Sequence, residues 1–307
     1  MNSRILILII LIVPQSIIAK VHSNMNLDTV SYCQNYPGLN FRSYAVLLGR
    51  DFAQQATAPF EMNRKQAIHL GEFAIVTAGL IISDAQIDKF ANNLRLKNLF
   101  INKSSPVITQ LGGKYSFYFL GAWGLYSLIG EDKKAQVTTL LATQAMITSG
   151  IWTRVGKLIT SRERPSASYN ISHESGGEWY GVLNYMNFKS GNTKKPGSAY
   201  DAFPSGHTAT VFSIATVFAK MYSDEPVIPI IAYSTATLVG FSRLTEHAHW
   251  MSDVFVGAAL GYLCGSQVVN NYRKTYNVNT HLHRHKNIDL SMDYDNNNLF
   301  VGIKYKL

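Results

Sequence analysis

Cysteine is nearly absent. Cys33 and Cys264 are the only two in 307 residues, too few for a fold built on disulfides. Whether they pair stays open; Cys264, in an apolar helical run, reads as an inert buried thiol. Charge is scarce as well, at 15% of residues against 47% apolar, where ordinary soluble domains carry about a quarter. Acid is scarcer than base, and the formal charge of +9 fits an anionic partner. No nucleic-acid-binding motif accompanies that charge, so nucleic acid is set aside. The partners that remain are a phosphorylated small molecule or lipid phosphate and an anionic membrane surface. No internal repeat and no low-complexity linker divides the chain.

What is present falls into four stretches. Residues 1–23 read as an export signal: Arg4, an apolar run over 5–13, then Pro14, Ser16 and Ala19 near a cleavage point. That run is short for a span of about 20 residues, and an uncleaved anchor is the alternative. Residues 24–115 form an N-terminal helical segment, with helices over 44–60 and 64–83 broken near Pro59. A shorter amphipathic helix and a polar loop follow over 84–105, ending at Pro106. In the core, 116–274, the uncharged runs 116–130, 135–153, 202–219, 226–242 and 254–272 predict five buried helices. The tight links 131–134 and 223–225 make their neighbours antiparallel, which brings three distant segments to one end of a bundle. The basic tail 275–307 alternates His281, His283 and His285 with other residues and reads as solvated rather than metal-binding. Alternation on both sides of 295–298 predicts a short β-hairpin. The fold class is thus all-α: an antiparallel helical bundle with a short C-terminal β-hairpin.

Three strings carry chemistry. In the first, Lys157 and Arg164-Pro165 stand seven residues apart, close to two helical turns, so both cations can share a face and one anion. In the second, Pro204-Ser205-Gly206-His207 opens an apolar helix, where free amides favour an anion and His207 can protonate a leaving group. The third runs from Ser242-Arg243 to His249 and Asp253. If it is helical from Ala248, Asp253 lies four residues from His249 and can hold its ring, leaving the other nitrogen to attack an electrophile; Arg243 adds a planar cation. Each string alone is also compatible with a helix cap or a solvated face.

Together the strings resemble the signature of the type 2 phosphatidic acid phosphatase and vanadium-dependent haloperoxidase superfamily, matching it without a gap or substitution over roughly 116–272. The resemblance implies a helical bundle with a metal-free phosphate pocket and no cofactor. It implies that Lys157, Arg164 and Arg243 bind the phosphate oxygens with Ser205 and Gly206. It further implies that His249 attacks phosphorus to form a phosphohistidine, that Asp253 orients it, and that His207 acts as acid and then base. The function expected is a metal-independent phosphatase for phosphate monoesters, including lipid phosphate or pyrophosphate. The alternatives are a vanadium-dependent haloperoxidase and a noncatalytic phosphate-binding protein. His247, two residues from His249, reads as a structural or rim residue. The insert between Arg164 and Pro204, with Trp179, Tyr180, Tyr185, Phe188, Lys189, Lys194 and Lys195, is expected to wall the pocket. The polar load of 135–153 (Gln136, Thr138, Thr139, Thr143, Gln144, Thr148 and Ser149) argues against lipid contact. The reading leans to an exported protein of the periplasm or cell envelope, soluble or peripherally attached to a membrane.

Overall fold

In a computed structural model of the chain, the residues described are 36–168, 176–182 and 197–278, together with the backbone of 288–295 and 298–305. The expected export signal, Cys33, the tract 281–285 and five residues of the insert (Tyr185, Phe188, Lys189, Lys194 and Lys195) lie outside them.

The N-terminal segment holds α1 (Phe41–Thr57), α2 (Arg64–Lys97) and α3 (Leu99–Thr109), the last followed by a 3-10 turn, Gln110–Gly112. Helix α2 starts on a capping box in which Asn63 and Gln66 each bond the other's backbone amide. It does not stop near residue 83, as the sequence suggested. Asp84 and Asp88, which looked like the start of a separate amphipathic helix, are buried on the same face of α2 as Ala85 and Ala91. Pro106 lies inside α3 rather than ending a loop. Asn98 fixes the start of that helix by accepting from the amides of Phe100 and Ile101.

The bundle proper comprises α4 (Lys114–Ile129), α5 (Lys133–Thr160), α6 (Gly206–Met221), α7 (Val227–Thr245) and α8 (Met251–Tyr276). Helix α6 is the hub, packed on α5, α7 and α8. Its approach to α8 is close because Gly257, Gly261 and Gly265 form a stripe. A Cβ on any of them would run into the backbone at Ser205, Ala209 or Ser213. Leu141, Ala145, Val217, Phe218, Val268 and Tyr272 fill the core between these helices. In the tail, β1 (Ile288–Asp295) and β2 (Asn298–Tyr305) pair antiparallel, with Asp295 opposite Asn298.

A further expectation fails in the bundle. Helix α4 was read as buried, yet Phe117, Tyr118, Leu125, Leu128 and Ile129 are exposed along it. Among the described residues, α2, α7 and α8 are long and apolar enough to cross a membrane. A helix on the outside of a bundle with no charge beyond its first residue suits an apolar solvent. The polar load of α5 does not oppose this, since Thr138, Gln144, Thr148 and Ser149 are all buried inside the bundle. The lean towards a soluble bundle does not fit this surface.

Candidate active site

Helix α5 ends at Thr160, and Ser161 closes it in the left-handed region (φ 42°, ψ 48°). Lys157 therefore lies on the last turn, while Arg162 and Arg164 leave in an extended segment bridged to Trp179. The single helical face expected for Lys157 and Arg164 does not exist, because the helix ends between them. They converge all the same, on Asp201. Its Oδ1 accepts from Arg164 Nε at 2.7 Å and lies 2.7 Å from Arg164 Nη2, and its Oδ2 is 3.3 Å from Lys157 Nζ. Lys157 Nζ also donates to the Asp201 carbonyl at 2.6 Å.

Ser205 precedes α6, and its hydroxyl pairs with Thr208 Oγ1 at 2.9 Å instead of capping a backbone amide. The first-turn amides, beginning with Gly206 and His207, are thus not capped by that side chain. Ser205 N donates to the Asp253 carbonyl at 3.0 Å, joining the starts of α6 and α8. The turn after α3 passes directly over His207: a Cβ on Gly113 would stand 3.1 Å from His207 Nε2.

His249 is not on a helix. His247 has positive φ (58°), Trp250 is extended (φ −76°, ψ 160°), and α8 begins only at Met251. The helical spacing inferred for His249 and Asp253 is therefore replaced by a coil, and with it the expected contact. Asp253 Oδ2 stands 3.7 Å from His249 Nδ1, whereas the Ala202 carbonyl stands 2.7 Å from it. A carbonyl only accepts, so Nδ1 carries the hydrogen and Nε2 the lone pair. Asp253 instead accepts from Trp250 N at 2.8 Å and from Arg162 Nη1 at 2.7 Å. It fastens the loop that carries His249.

Arg162, absent from the sequence-derived candidates, is fully buried (0% exposed). Its Nη1 also donates to Ser252 Oγ at 2.6 Å, and its Nη2 to Asp84 Oδ2 and the Gly176 carbonyl, each at 2.6 Å. Asp84 reaches in from α2 and accepts in addition from Ser252 N and Oγ. Trp179 and Trp250 lie over the guanidinium, their ring centres 4.5 and 5.4 Å away. Asp84 had a signal in the sequence: an acid in a long apolar helix must find a partner. The partner's identity had none.

On the far wall, Arg243 Nη1 donates to Glu246 Oε2 at 2.6 Å and to Thr109 Oγ1 at 3.3 Å. Its buried Nε has no hydrogen-bond partner among the described residues. His247 Nδ1 lies 2.7 Å from Asp88 Oδ1. Lys157, Arg164 and Arg243 act jointly on both imidazoles. Burial first, then Lys157, Arg164 and Arg243, holds His249 well below the usual histidine range. Burial first, then Arg243, Lys157 and Arg164, lowers His207 to about 4. The site thus presents three cations to two largely neutral rings, an arrangement suited to an oxyanion beside a neutral nitrogen nucleophile.

Residues 137–276 match the family model described as the PAP2 superfamily. The hairpin and most of the N-terminal segment lie outside it. Over 86 residues the chain is 41% identical to "Lipid A 1-phosphatase" of Porphyromonas gingivalis, covering 28% of this chain and 19% of that one. Over 134 residues it is 29% identical to "Lipid phosphate phosphatase 1" of Arabidopsis thaliana, covering 39% of each. The chain thus spans well under half the length of these curated relatives. Of solved structures, LpxE of Aquifex aeolicus superposes with a TM-score of 0.44 at 23% identity, over 61% of this chain and 94% of that one. A transmembrane PAP2 type phosphatidylglycerolphosphate phosphatase from Bacillus subtilis gives 0.43 at 19% identity, over 75% and 96%.

Proposed function

We propose that this protein is a membrane-embedded phosphatase of the cell envelope that hydrolyses phosphate monoesters of lipids. The observation that carries the reading is the neutral, buried His249, its Nδ1 committed to the Ala202 carbonyl and its lone pair left on Nε2, under the influence of Lys157, Arg164 and Arg243. Those cations, with the unpartnered Nε of Arg243 and the start of α6, bind the three nonbridging oxygens and spread the charge that builds up in the transition state. No metal is required for that task. The singly protonated ester passes its proton to His207 on binding; His249 Nε2 then attacks phosphorus as the bond to the alkyl oxygen breaks, and His207 gives that proton to the departing oxygen. In the second half-reaction His207 takes a proton from water, the water oxygen attacks phosphorus, and the phosphorus–nitrogen bond breaks to release phosphate.

Two observations favour a lipid. The outer surface is apolar where the bundle would meet acyl chains, and the curated relatives carry lipid phosphatase names. The test is phosphate release, with a strong chelator present, from a long-chain phosphatidate and a lipid A phosphate in mixed micelles, beside a small aryl phosphate. A preference for a lipid that His249→Ala abolishes is the expected result. Release that stops on chelation and returns with added divalent metal overturns the metal-free chemistry, and a preference for the aryl ester overturns the lipid.

A further inference from the structure

Beside Arg164 and Lys157, Asp201 stands where an anion belongs. One of its carboxylate oxygens takes both Nε and Nη2 of Arg164, and the other approaches Lys157, two of the three cations assigned above to phosphate. These are the donors a phosphate oxygen would use, and a carboxylate mimics two of the oxygens of a phosphate. We propose that Asp201 is a specificity-determining residue, a built-in counter-anion that the substrate phosphate must displace from Arg164 and Lys157. This rests on the phosphatase reading and deepens it.

The geometry allows displacement without rebuilding the pocket. The side chain is 20% exposed, so it has a way out. The backbone on either side is pinned, since Arg164 N donates to the Ala199 carbonyl at 2.8 Å and Ala202 N to the Arg162 carbonyl at 3.0 Å. Lys157 holds the Asp201 backbone carbonyl independently of the carboxylate. Rotation of one side chain therefore frees both cations while the peptide stays in place. That matters because the next residue, Ala202, supplies the carbonyl that sets the His249 tautomer.

The consequence is selection by charge. A phosphodiester offers a single negative charge, no more than the carboxylate it would replace. A monoester offers nearly two near neutral pH, and its singly protonated form offers the same two once its proton has passed to His207; two are what an exchange at a pair of cations rewards. Asp201 also lowers the mutual repulsion of Lys157 and Arg164 while the pocket is empty. A purely structural ion pair predicts the reverse sign on neutralisation: the pocket loosens and phosphate binds less well.

The experiment uses the full-length protein in detergent as wild type, Asp201→Asn and Asp201→Glu. Orthophosphate binding is measured directly by calorimetry, and the ratio of kcat/KM for an aryl monoester to that for a bis-aryl diester is measured alongside. Asp201→Asn is expected to bind orthophosphate about tenfold more tightly, as loss of one competing charge implies, and to lose much of the monoester preference. Asp201→Glu stays near wild type. Thermal unfolding with and without orthophosphate covers a loss of stability in the Asn form, because a ligand that binds more tightly raises the midpoint further. A phosphate-induced rise larger than in wild type supports the proposal. Equal or weaker phosphate binding by Asp201→Asn, or an equal or smaller rise, overturns it. Wild-type protein that hydrolyses no monoester overturns the phosphatase reading itself, whereas hydrolysis with unimproved binding in Asp201→Asn overturns this inference alone.

Discussion

The pocket end of the bundle and its outer flank reverse the usual rule of which side chains go inside. At the pocket end Arg162, Asp84 and Asp253 are buried at 0% exposure and bonded to one another. On the flank of α2, Ile75 and Ile82 are 75% and 83% exposed. The contrast runs along a single helix, for the four buried residues of α2 are two alanines and two aspartates. A charge is buried where partners are fixed in place, because unpaired it would cost several kcal/mol. An isoleucine this exposed suits an apolar solvent. The two regions thus follow opposite rules, and each can be tested by putting the wrong kind of residue there.

The largest effect is expected at the pocket. His249→Ala removes the proposed nucleophile but leaves the cations, so kcat should fall by about 10⁴-fold while orthovanadate still binds. Rapid-quench assays with radiolabelled substrate should show the acid-labile phosphoprotein in wild type only. Arg162→Met comes next. It leaves Asp84 and Asp253 buried without their cation, a loss of about 3–5 kcal/mol, read as a lower unfolding midpoint in detergent. Because Arg162 positions the His249 loop through Asp253 and touches no phosphate donor, kcat should drop while KM for a small aryl phosphate holds. Partial recovery in Arg162→Lys is expected, since ammonium supplies charge but not the fork. A variant that loses kcat and KM together would place Arg162 in phosphate binding instead.

On the flank the test runs the other way. Ile75→Arg should cost about 2.5–3.5 kcal/mol in membrane insertion if α2 lies in lipid. If water covers it, a surface substitution changes stability by no more than about 0.5 kcal/mol. A glycosylation-reporter insertion assay on α2 separates the two.

The same contrast explains what the sequence revealed. The three chemical strings were legible because each sits at the end of a helix, where few residues separate the groups that act together. Their exact geometry was not, because it turns on the positive φ of His247 and the extended Trp250, which no spacing rule announces. Arg162 was missed because its partners come from other helices; Asp84 is 78 positions away. The apolar runs predicted helices but not their surroundings, since hydrophobic periodicity is silent on whether protein or lipid covers a face. The polar residues of α5 misled for a related reason. Gln144 turns inward to Asp51, while Thr138, Thr139 and Thr143 bond back to their own helix, so their polar groups are satisfied without water.

The smallest effect concerns the proton, and it sharpens the account of the pocket end. Burial, then the three cations, lowers His207 to about 4 in the absence of substrate, so near neutral pH its ring is largely neutral and has little acid form to give. A lowered value disfavours the charged ring, and only the negative charge of the substrate offsets it. The proton then arrives with the substrate, as the singly protonated monoester, and passes to His207 inside the complex. Because kcat/KM reports the free species, it should fall about tenfold per pH unit above the second ionisation of the substrate, near 6 for an ordinary monoester. Burial and the same cations push His249 in the same direction, so it is expected to add no limb above neutral pH. Two aryl phosphates with different second ionisations decide the matter. A limb that shifts with the substrate places the proton on the ester, whereas a limb fixed at one pH for both means that the free enzyme holds it and that the cations depress His207 far less than the geometry requires.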